Sequence, residues 1–353
     1  MPKARAAEFC ARFGLRLPIL LAPMAGACPP SLSVAVANAG GMGACGALLM
    51  QPTAIAAWTA EFRASSNGAF QLNTWIPDPP PVRDLAHEAR VRDFLGQFGP
   101  EVSETAGDAG LVDFDAQCAA MLAARPGVIS SIMGLYPAEF VAAMHAQGIA
   151  WFATVTTVAE AIAAEAAGAD VIVAQGAEAG GHRGAFNASD AERAAVGLFA
   201  LLPAIVDAVK TPVIATGGIA DARGIAAAFL LGASAVQIGT GLLRTPEAKL
   251  AAAWANALAT TRPEDTTLTR AFSGRAGRGI ATEYTRAAAA GPAPAPYPVQ
   301  RGLTAGMREA ASKAGDVQHM QAWAGQSAAM ARAEPAADLL RDLWAEAAAL
   351  LGK

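Results

Sequence analysis

One histidine in a glycine-rich loop is the side chain best suited to proton transfer, because imidazole titrates near neutral pH. His182 lies in residues 171–184, which begin with an apolar, largely β-branched run and end in glycines. Such a run is typical of a buried strand. Gln175 would end that strand, and Gly180 and Gly181 let the following loop approach a ligand closely. Proteins with α/β folds place their chemistry at such strand ends, although a glycine turn with a surface histidine is the simpler alternative.

Two further glycine turns predict a phosphate site. Residues 215–224 read A-T-G-G-I-A-D-A-R-G, so that Gly217 and Gly218 would follow a strand and precede a helix. Residues 237–241 read Q-I-G-T-G, and Thr240 can donate a hydrogen bond. The backbone N–H groups of such turns bind phosphate. Each turn alone indicates little, but both follow the last two predicted strands, where barrels commonly hold phosphate.

Strands and helices alternate along most of the chain. Eight apolar stretches bounded by glycine, proline or polar residues are predicted to be strands: residues 18–23, 40–46, 68–75, 127–134, 149–155, 171–175, 212–216 and 235–239. Helices are predicted between them, including one from Ser189 or Asp190 to Val209. Because parallel strands need crossover helices, eight such units predict an α/β fold of the (β/α)8 TIM-barrel type. A doubly wound open sheet is the structural alternative.

An insertion and an extension fall outside this alternation. The predicted barrel spans residues 1–243, with a proline-rich and charged insertion at about residues 77–112, after the third strand. Residues 244–353 are predicted to form an irregular, helical extension packed on the barrel. The proline run at residues 287–298 must be extended or turned. We expect the extension to cover part of the active face, whereas a freestanding linker is the alternative for the proline run.

Composition argues against several classes of function. The 353 residues are 54 % hydrophobic and carry a net charge of −4, which argues against nucleic acid or an anionic membrane as the main partner. Neither a secretory signal nor a long apolar span is visible, so no membrane segment is expected. Four cysteines without C-x-x-C spacing indicate cytoplasmic thiols. No metal-binding motif occurs, and no metal is expected.

Polar residues at other predicted strand ends suit a flavin. Met24, Asn73 and Gln175 would lie at the ends of the first, third and sixth strands. An amide side chain both donates and accepts hydrogen bonds, which matches the alternating carbonyls and nitrogens of a flavin edge. A single Asn or Gln usually serves the protein's own hydrogen bonding, so each residue alone indicates little.

Five motifs, in this order along the chain, resemble the nitronate monooxygenase family, formerly called 2-nitropropane dioxygenases. They are A-P-M-A-G at 22–26, A-Q-G-A-E-A-G-G-H-R-G at 174–184, A-T-G-G-I-A-D-A-R-G at 215–224, G-A-S-A-V-Q-I-G-T at 232–240 and F-S-G-R-A-G-R-G at 272–279. The first four are shared with flavin-dependent enoyl-thioester reductases and NAD(P)H:quinone reductases. Their combination with the S-G-R motif is most similar to the class I nitronate monooxygenases.

The resemblance implies FMN held non-covalently in the barrel, with His182 as the catalytic residue. It implies cofactor contacts from strand ends and from the extension, at Met24, Asn73, Gln175, Gly180, Gly181, Gly217, Gly218, Gln237, Ile238, Gly239, Thr240 and Ser273. Family members often carry a second histidine in the fourth strand, where this chain has Met133. Glu178 and Arg183 are interpreted as bracing the loop by charge pairs, and Tyr297 as lining the substrate entrance or as packing.

The activity implied by the resemblance is oxidation of alkyl nitronates by O2 to a carbonyl compound and nitrite, with propionate 3-nitronate among the candidate substrates. In the family, the nitronate passes one electron to FMN to give a flavin semiquinone, and O2 completes the reaction. The partners would be a nitronate or nitroalkane and O2, in a monomer or homodimer. An FMN-dependent NAD(P)H reductase of quinones or enoyl thioesters is the main alternative, and a non-enzymatic flavin-binding module is a third.

Overall fold

Eight parallel strands form the centre of the computed structural model, which describes residues 1–108 and 110–352. They are β1 Ile19–Leu21, β2 Gly43–Gly46, β3 Phe70–Trp75, β4 Val128–Ile132, β5 Ala150–Val155, β6 Val171–Gln175, β8 Val213–Thr216 and β9 Ala235–Ile238. A second sheet within these ranges contains β7 Gly181–His182, β10 Thr266–Thr269 and β11 Gly277–Ile280. Each of the eight parallel strands lies inside a stretch predicted from the sequence.

The parallel strands close into a barrel. Hydrogen-bonded neighbours follow the order β1-β9-β8-β6-β5-β4-β3-β2. The ring is completed between β1 and the start of β2, where Leu20 bridges Met42 and the Leu21 N–H donates to the Met42 carbonyl at 2.9 Å. This closure confirms the predicted (β/α)8 barrel and excludes the doubly wound open sheet, whose edge strands stay unpaired.

Helices cover the barrel and continue through the extension. In the described residues they are α1 Pro2–Phe13, α2 Pro30–Ala39, α3 Pro52–Ser65, α4 Leu85–Leu95, α5 Phe114–Ala124, α6 Ala138–Ala146, α7 Val158–Ala166, α8 Leu198–Ala208, α9 Ala222–Leu230, α10 Ala252–Thr260, α11 Glu283–Ala290, α12 Val299–Leu303, α13 Ala305–Ala314 and α14 Ala336–Leu350. Proline opens α2 and α3, because its missing N–H costs nothing in the first turn. None of the helices in this described part of the chain has the length and apolar character needed to cross a membrane.

Apolar side chains fill the barrel and plug one of its ends. Leu20, Phe152 and Val173 belong to a fully buried cluster contributed by alternate positions of the strands. Helix α1 packs against this cluster, and Phe13 meets Phe152 edge-on with ring centroids 5.0 Å apart. Since α1 occupies the end at which the strands begin, the carboxyl ends of the strands are left for a site.

Two regions differ from the helices predicted from the sequence. Where a long helix is predicted to start, the structure has only a short 3-10 helix, Ala188–Asp190, and α8 begins at Leu198. Glu178 stabilises the observed start of α8, because its carboxylate accepts a hydrogen bond from the Leu198 N–H at 2.9 Å. The extension is also not purely helical, because β10 and β11 form an antiparallel hairpin within it.

The insertion, the extension and the barrel meet at the carboxyl end of the strands. Leu95 of α4 shares a buried apolar cluster with Phe272 and Tyr284 of the extension. Strand β11 pairs antiparallel with β7, which places Gly277 opposite His182. The extension therefore joins the barrel at the loop that carries the histidine. A domain boundary at residue 243 stays a prediction.

Candidate active site

A cavity of about 240 Å³ opens at the carboxyl ends of the strands, lined by barrel and extension. Most residues predicted for the site line it: Met24, Asn73, Gln175, Gly180, Gly181, His182, Gly217, Gly218, Gln237, Gly239, Thr240 and Ser273. Ile238 does not, because its side chain is 1 % exposed and packs in the core between sheet and helices. The structure thus brings twelve of the thirteen predicted residues to one cavity.

Contacts from several segments hold His182 in this cavity. Its Nε2 lies 2.8 Å from the Ser273 hydroxyl. The rings of Trp75 and Trp323 meet the imidazole edge-on, with centroids 4.6 and 4.9 Å away. The His182 backbone carbonyl accepts a hydrogen bond from Gln175 Nε2 at 3.0 Å. Barrel and extension therefore position the histidine jointly.

The Gln175 side chain forms hydrogen bonds to the loop that carries His182. While its Nε2 donates to the His182 carbonyl, its Oε1 accepts from the Gly184 N–H at 2.8 Å. Both ends of the amide are therefore used to fix the histidine loop against the strand end. A contact between Gln175 and a cofactor stays a prediction.

The surroundings of His182 favour the neutral imidazole. Burial, and then the positive charges of Arg275, Arg301 and Arg308, lower the pKa of His182 from 6.5 to about 3. The ring is therefore neutral at pH 7. The neutral ring has a lone pair for a proton, but the lowered pKa makes it a weak base until a negative charge is bound beside it, and it does not itself supply the positive charge that an anion would need.

The hydrogen bonds of Ser273 indicate which nitrogen of His182 carries the proton. The Ser273 hydroxyl donates to the Arg275 carbonyl at 3.1 Å. Because a hydroxyl has one proton, His182 Nε2 must then be the donor in its contact with Ser273. This tautomer, assigned from the hydrogen bonds, leaves the lone pair on Nδ1, which has no partner among residues 1–108 and 110–352.

The glycine turn after β8 is shaped for a ligand. Gly217 and Gly218 have φ angles of 107° and 70°, in the left-handed region that favours glycine. Their N–H groups have no protein acceptor in the described part of the chain. The following helix, α9, is capped by its own Asp221, which accepts from the Gly224 N–H at 2.9 Å. The turn itself lines the cavity, so its free donors face the space that a ligand would occupy.

The histidine loop and the turn after β9 both touch the extension. A Cβ on Gly180 would lie 2.4 Å from the Gly325 nitrogen and 2.8 Å from Thr240 Oγ1. The Gly325 N–H donates to Thr240 Oγ1 at 3.0 Å. Only a residue without a side chain lets these three segments approach so closely.

Two amides at strand ends keep free hydrogen-bonding atoms. Asn73 Nδ2 donates to the Ser130 carbonyl and hydroxyl, each at 3.1 Å. Gln237 Oε1 accepts from Gln71 Nε2 at 3.0 Å. Within the described residues, Asn73 Oδ1 and Gln237 Nε2 have no protein partner. Asn73 therefore offers a ligand one hydrogen-bond acceptor, and Gln237 offers it one donor.

Several lining residues of the extension were not predicted from the sequence: Arg301, Arg308, Gln321 and Trp323. The sequence carried no distinctive signal for the two arginines, because charged residues in an irregular extension are usually exposed. Tyr297, predicted either to line the entrance or to pack, does both, since it lines the cavity and its ring centroid lies 5.3 Å from that of Trp75.

Met133 lies outside the cavity lining. It is 3 % exposed and has a left-handed φ of 70°, whereas the preceding Ile132 lines the cavity. The side chain at this position is therefore buried and is not part of the cavity lining.

Glu178 and Arg183 brace the histidine loop through hydrogen bonds to the backbone, and their charged groups make no direct ion pair in the described residues. Arg183 donates to the carbonyls of Thr156 and Ala194, at 3.3 and 3.2 Å. Glu178 caps α8, and no ion pair of either residue occurs in the described ranges. In those same ranges, no group of His, Cys, Asp or Glu is arranged to hold a metal ion.

Sequence comparison finds one family across nearly the whole chain. The profile described as Nitronate monooxygenase matches residues 9–346. A nitronate monooxygenase of Pseudomonas aeruginosa is 38 % identical over 346 residues, which cover 96 % of this chain and 98 % of that protein. The similarity therefore includes both the barrel and the extension.

Solved structures with the same architecture span the same length. A nitroalkane oxidase from Streptomyces ansochromogenes superposes with a TM-score of 0.87 at 38 % identity, covering 95 % of this chain and 96 % of that one. FabK from Thermotoga maritima superposes with a TM-score of 0.77 at 25 % identity, covering 98 % and 97 %. The barrel and its extension thus occur together in proteins of known structure.

Proposed function

The chain belongs to the nitronate monooxygenase family, whose members are oxidoreductases, and we propose on this basis that it is an FMN-dependent enzyme that oxidises alkyl nitronates. O2 would be the oxidant, and a carbonyl compound and nitrite the products. The observation that carries the proposal is the neutral His182, hydrogen-bonded through Nε2 to Ser273 and lining a cavity at the carboxyl ends of the barrel strands.

The free polar atoms of the cavity fit FMN. The N–H groups of Gly217 and Gly218 have no acceptor among the described residues and suit the phosphate. Asn73 Oδ1 and Gln237 Nε2 would meet the polar edge of the ring system, which both donates and accepts hydrogen bonds. When bound, FMN supplies the acceptor for the electrons that leave the substrate.

His182 would handle the proton of a nitroalkane substrate. The C–H beside a nitro group is acidic, and its removal gives the nitronate. With Nε2–H held by Ser273, the proton would be taken at Nδ1. The rings of Trp75 and Trp323 flank the imidazole and limit the access of water to it. A substrate supplied as the nitronate has already lost this proton and needs only to be positioned.

An anaerobic absorbance spectrum of the FMN-loaded protein tests the proposal. We expect the flavin spectrum to change on mixing with ethyl nitronate and to stay unchanged on mixing with NADH or NADPH. Rapid bleaching by a pyridine nucleotide, with no response to ethyl nitronate, would instead support the reductase of quinones or enoyl thioesters. A protein that does not take up FMN would contradict the cofactor assignment.

Replacing His182 should affect a nitroalkane substrate more strongly than the corresponding nitronate. In His182→Asn we expect kcat/KM for nitroethane to fall by about 100-fold or more, the usual range for loss of a general base, while that for ethyl nitronate falls by less than about 10-fold. His145→Asn is the matched control, since His145 pairs with Asp170 near the amino-terminal end of the barrel. Equal losses on both substrates in His182→Asn would argue against a role as base.

A further inference from the structure

The charged side chains that line the cavity are all positive. Among the described residues, its ionisable side chains are His182, Tyr297, Arg301 and Arg308, with no carboxylate and no lysine. Since the imidazole is neutral and the phenol protonated at pH 7, the cavity carries two positive charges. Uncompensated positive charge in a partly desolvated site favours an anionic ligand.

Hydrogen bonds within the protein hold Arg308 in its place in the cavity lining. Its guanidinium donates to Thr304 Oγ1 at 3.1 Å, to Gln321 Oε1 at 3.1 Å and to the Arg301 carbonyl at 2.8 Å. Burial, and then the charge of Arg301, lower the pKa of Arg308 to about 10. All three donor nitrogens are used within the protein, so Arg308 acts as a brace for the turn that carries Arg301.

The Arg301 guanidinium, by contrast, has no hydrogen-bond or ion-pair partner among the described residues. In the described part of the chain its guanidinium donates no hydrogen bond and meets no carboxylate, although the residue is only partly exposed and lines the cavity. Arg275, in the same extension, shows the usual arrangement, because its guanidinium is paired with Asp78. A guanidinium offers a planar fork of donors that fits two oxygens of one anion.

The Tyr297 hydroxyl is a second hydrogen-bond donor of the cavity lining that lacks a partner in the described residues. Tyr297 is 7 % exposed, and its buried hydroxyl has no hydrogen-bond partner within residues 1–108 and 110–352. The residue precedes Arg301 by four positions, and the charge of Arg301 is close enough to affect the phenol. A buried hydroxyl left without an acceptor is costly, and an anion beside Arg301 would satisfy it.

We propose that the Arg301 guanidinium and the Tyr297 hydroxyl form a subsite for a planar two-oxygen anion, and that this subsite determines substrate specificity. The proposal rests on the proposed function, in which the substrate is a nitronate. The anion bound is either the nitronate group itself or a carboxylate elsewhere on the substrate. His182 and the subsite then have separate roles: the neutral histidine accepts the proton, and Arg301 binds the negative charge of the substrate.

Binding of a non-reacting anion tests the subsite independently of turnover. Calorimetric titration of the FMN-loaded protein with propionate would give a Kd for wild type, Arg301→Gln, Arg301→Lys and Tyr297→Phe. We expect Arg301→Gln to raise the Kd by about 10- to 100-fold, Arg301→Lys to restore part of the affinity, and Tyr297→Phe to raise the Kd by about 3- to 10-fold. Arg341→Gln, an exposed arginine on α14, is the matched control and should stay within about 2-fold.

Steady-state kinetics distinguish the two sources of the anion. If Arg301→Gln raises KM for both ethyl nitronate and propionate 3-nitronate, Arg301 binds the nitronate group. If only the KM for propionate 3-nitronate rises, Arg301 binds the carboxylate. Both results support the subsite.

Two kinds of result would overturn the inference, one concerning the binding of propionate and one concerning the binding of FMN. One is an unchanged propionate Kd in Arg301→Gln, or no binding of propionate by wild type. The other is an FMN Kd raised about 10-fold in Arg301→Gln with normal anion binding, which would assign Arg301 to the cofactor. Failure of the proposed function looks different, since wild type would then bind propionate but would not oxidise any nitronate.

Discussion

At the scale of single residues, the position of His182 decides its protonation state. Its neighbours are the apolar edges of Trp75 and Trp323 and the positive charges of the extension, and both disfavour the imidazolium. The same histidine on an exposed glycine turn would titrate near pH 6.5. The chemistry therefore depends on residues that lie 90 or more positions away in sequence.

The lowered pKa of His182 predicts a dependence of stability on pH. The folded pKa of about 3 lies below the unfolded value of 6.5. Between these values the unfolded chain binds a proton that the folded chain does not, so the free energy of unfolding decreases as the pH falls below 6.5. Because His182 is partly exposed to the cavity, we expect a loss of about 1 kcal/mol between pH 7.5 and pH 5, somewhat less than the shift alone would allow.

Urea denaturation of wild type and His182→Asn at both pH values measures this contribution. The variant lacks the titrating group and should lose about 1 kcal/mol less than wild type between the two pH values. Arg341→Gln, at an exposed position on α14, is the control and should lose as much stability as wild type does. Equal losses in wild type and His182→Asn would show that the imidazole is not held in its neutral form.

At the scale of elements, the barrel was predictable because its strands are short apolar runs with clear stops. Gly127 and Pro212 stand immediately before β4 and β8 and mark where they begin. The hairpin of β10 and β11 was missed, since Thr266–Thr269 and Gly277–Ile280 have neither an apolar run nor a strict alternation. These strands are stabilised by pairing with each other and with β7, a long-range contact that no local pattern records.

The site residues also fall into a group that could be predicted from the sequence and a group that could not. Residues at strand ends could be placed together because the barrel fixes where strand ends meet. Arg301 and Arg308 could not, because a charged residue in an irregular extension is usually exposed. Their presence in the cavity depends on how the extension folds back, and the sequence around them resembles an ordinary surface helix.

A substitution at Gly180 tests how closely the loops and the extension must approach. In Gly180→Ala the new Cβ would meet the backbone nitrogen of Gly325 at 2.4 Å, so the extension must move away. We expect the free energy of unfolding to fall by about 1–3 kcal/mol and the FMN affinity to fall with it. Gly127→Ala is the control, because nothing lies within 4 Å of its Cβ position. A Gly180→Ala protein as stable as Gly127→Ala, by urea denaturation, would contradict the packing described.

At the scale of the whole molecule, one buried arginine joins three separate segments. Arg275 of the extension is 2 % exposed. Its Nε donates to Asp78 of the insertion at 2.7 Å, and its Nη1 donates to the Ala185 carbonyl, beyond the histidine loop, at 3.1 Å. Insertion, barrel and extension are therefore connected through a single guanidinium.

Removing the carboxylate partner should destabilise the molecule as a whole. Asp78→Asn leaves the buried Arg275 charge uncompensated, and we expect the free energy of unfolding to fall by about 3 kcal/mol. Asp338→Asn breaks an exposed pair with Arg341 on α14 and should cost less than about 1 kcal/mol. Chemical denaturation of both variants gives the comparison. Similar losses in the two would mean that the Arg275 pair contributes no more than a surface pair.

The way the extension folds over the strand ends also has a consequence for biosynthesis. Ribosomes make the chain from its amino terminus, so every barrel strand emerges before β11 and before the residues from Tyr297 to Gly325 that line the cavity. The glycine turn at Gly217 and Gly218 is thus complete while the strand ends are still uncovered. A barrel that folded before the extension emerged would therefore present its strand ends to a ligand without this cover.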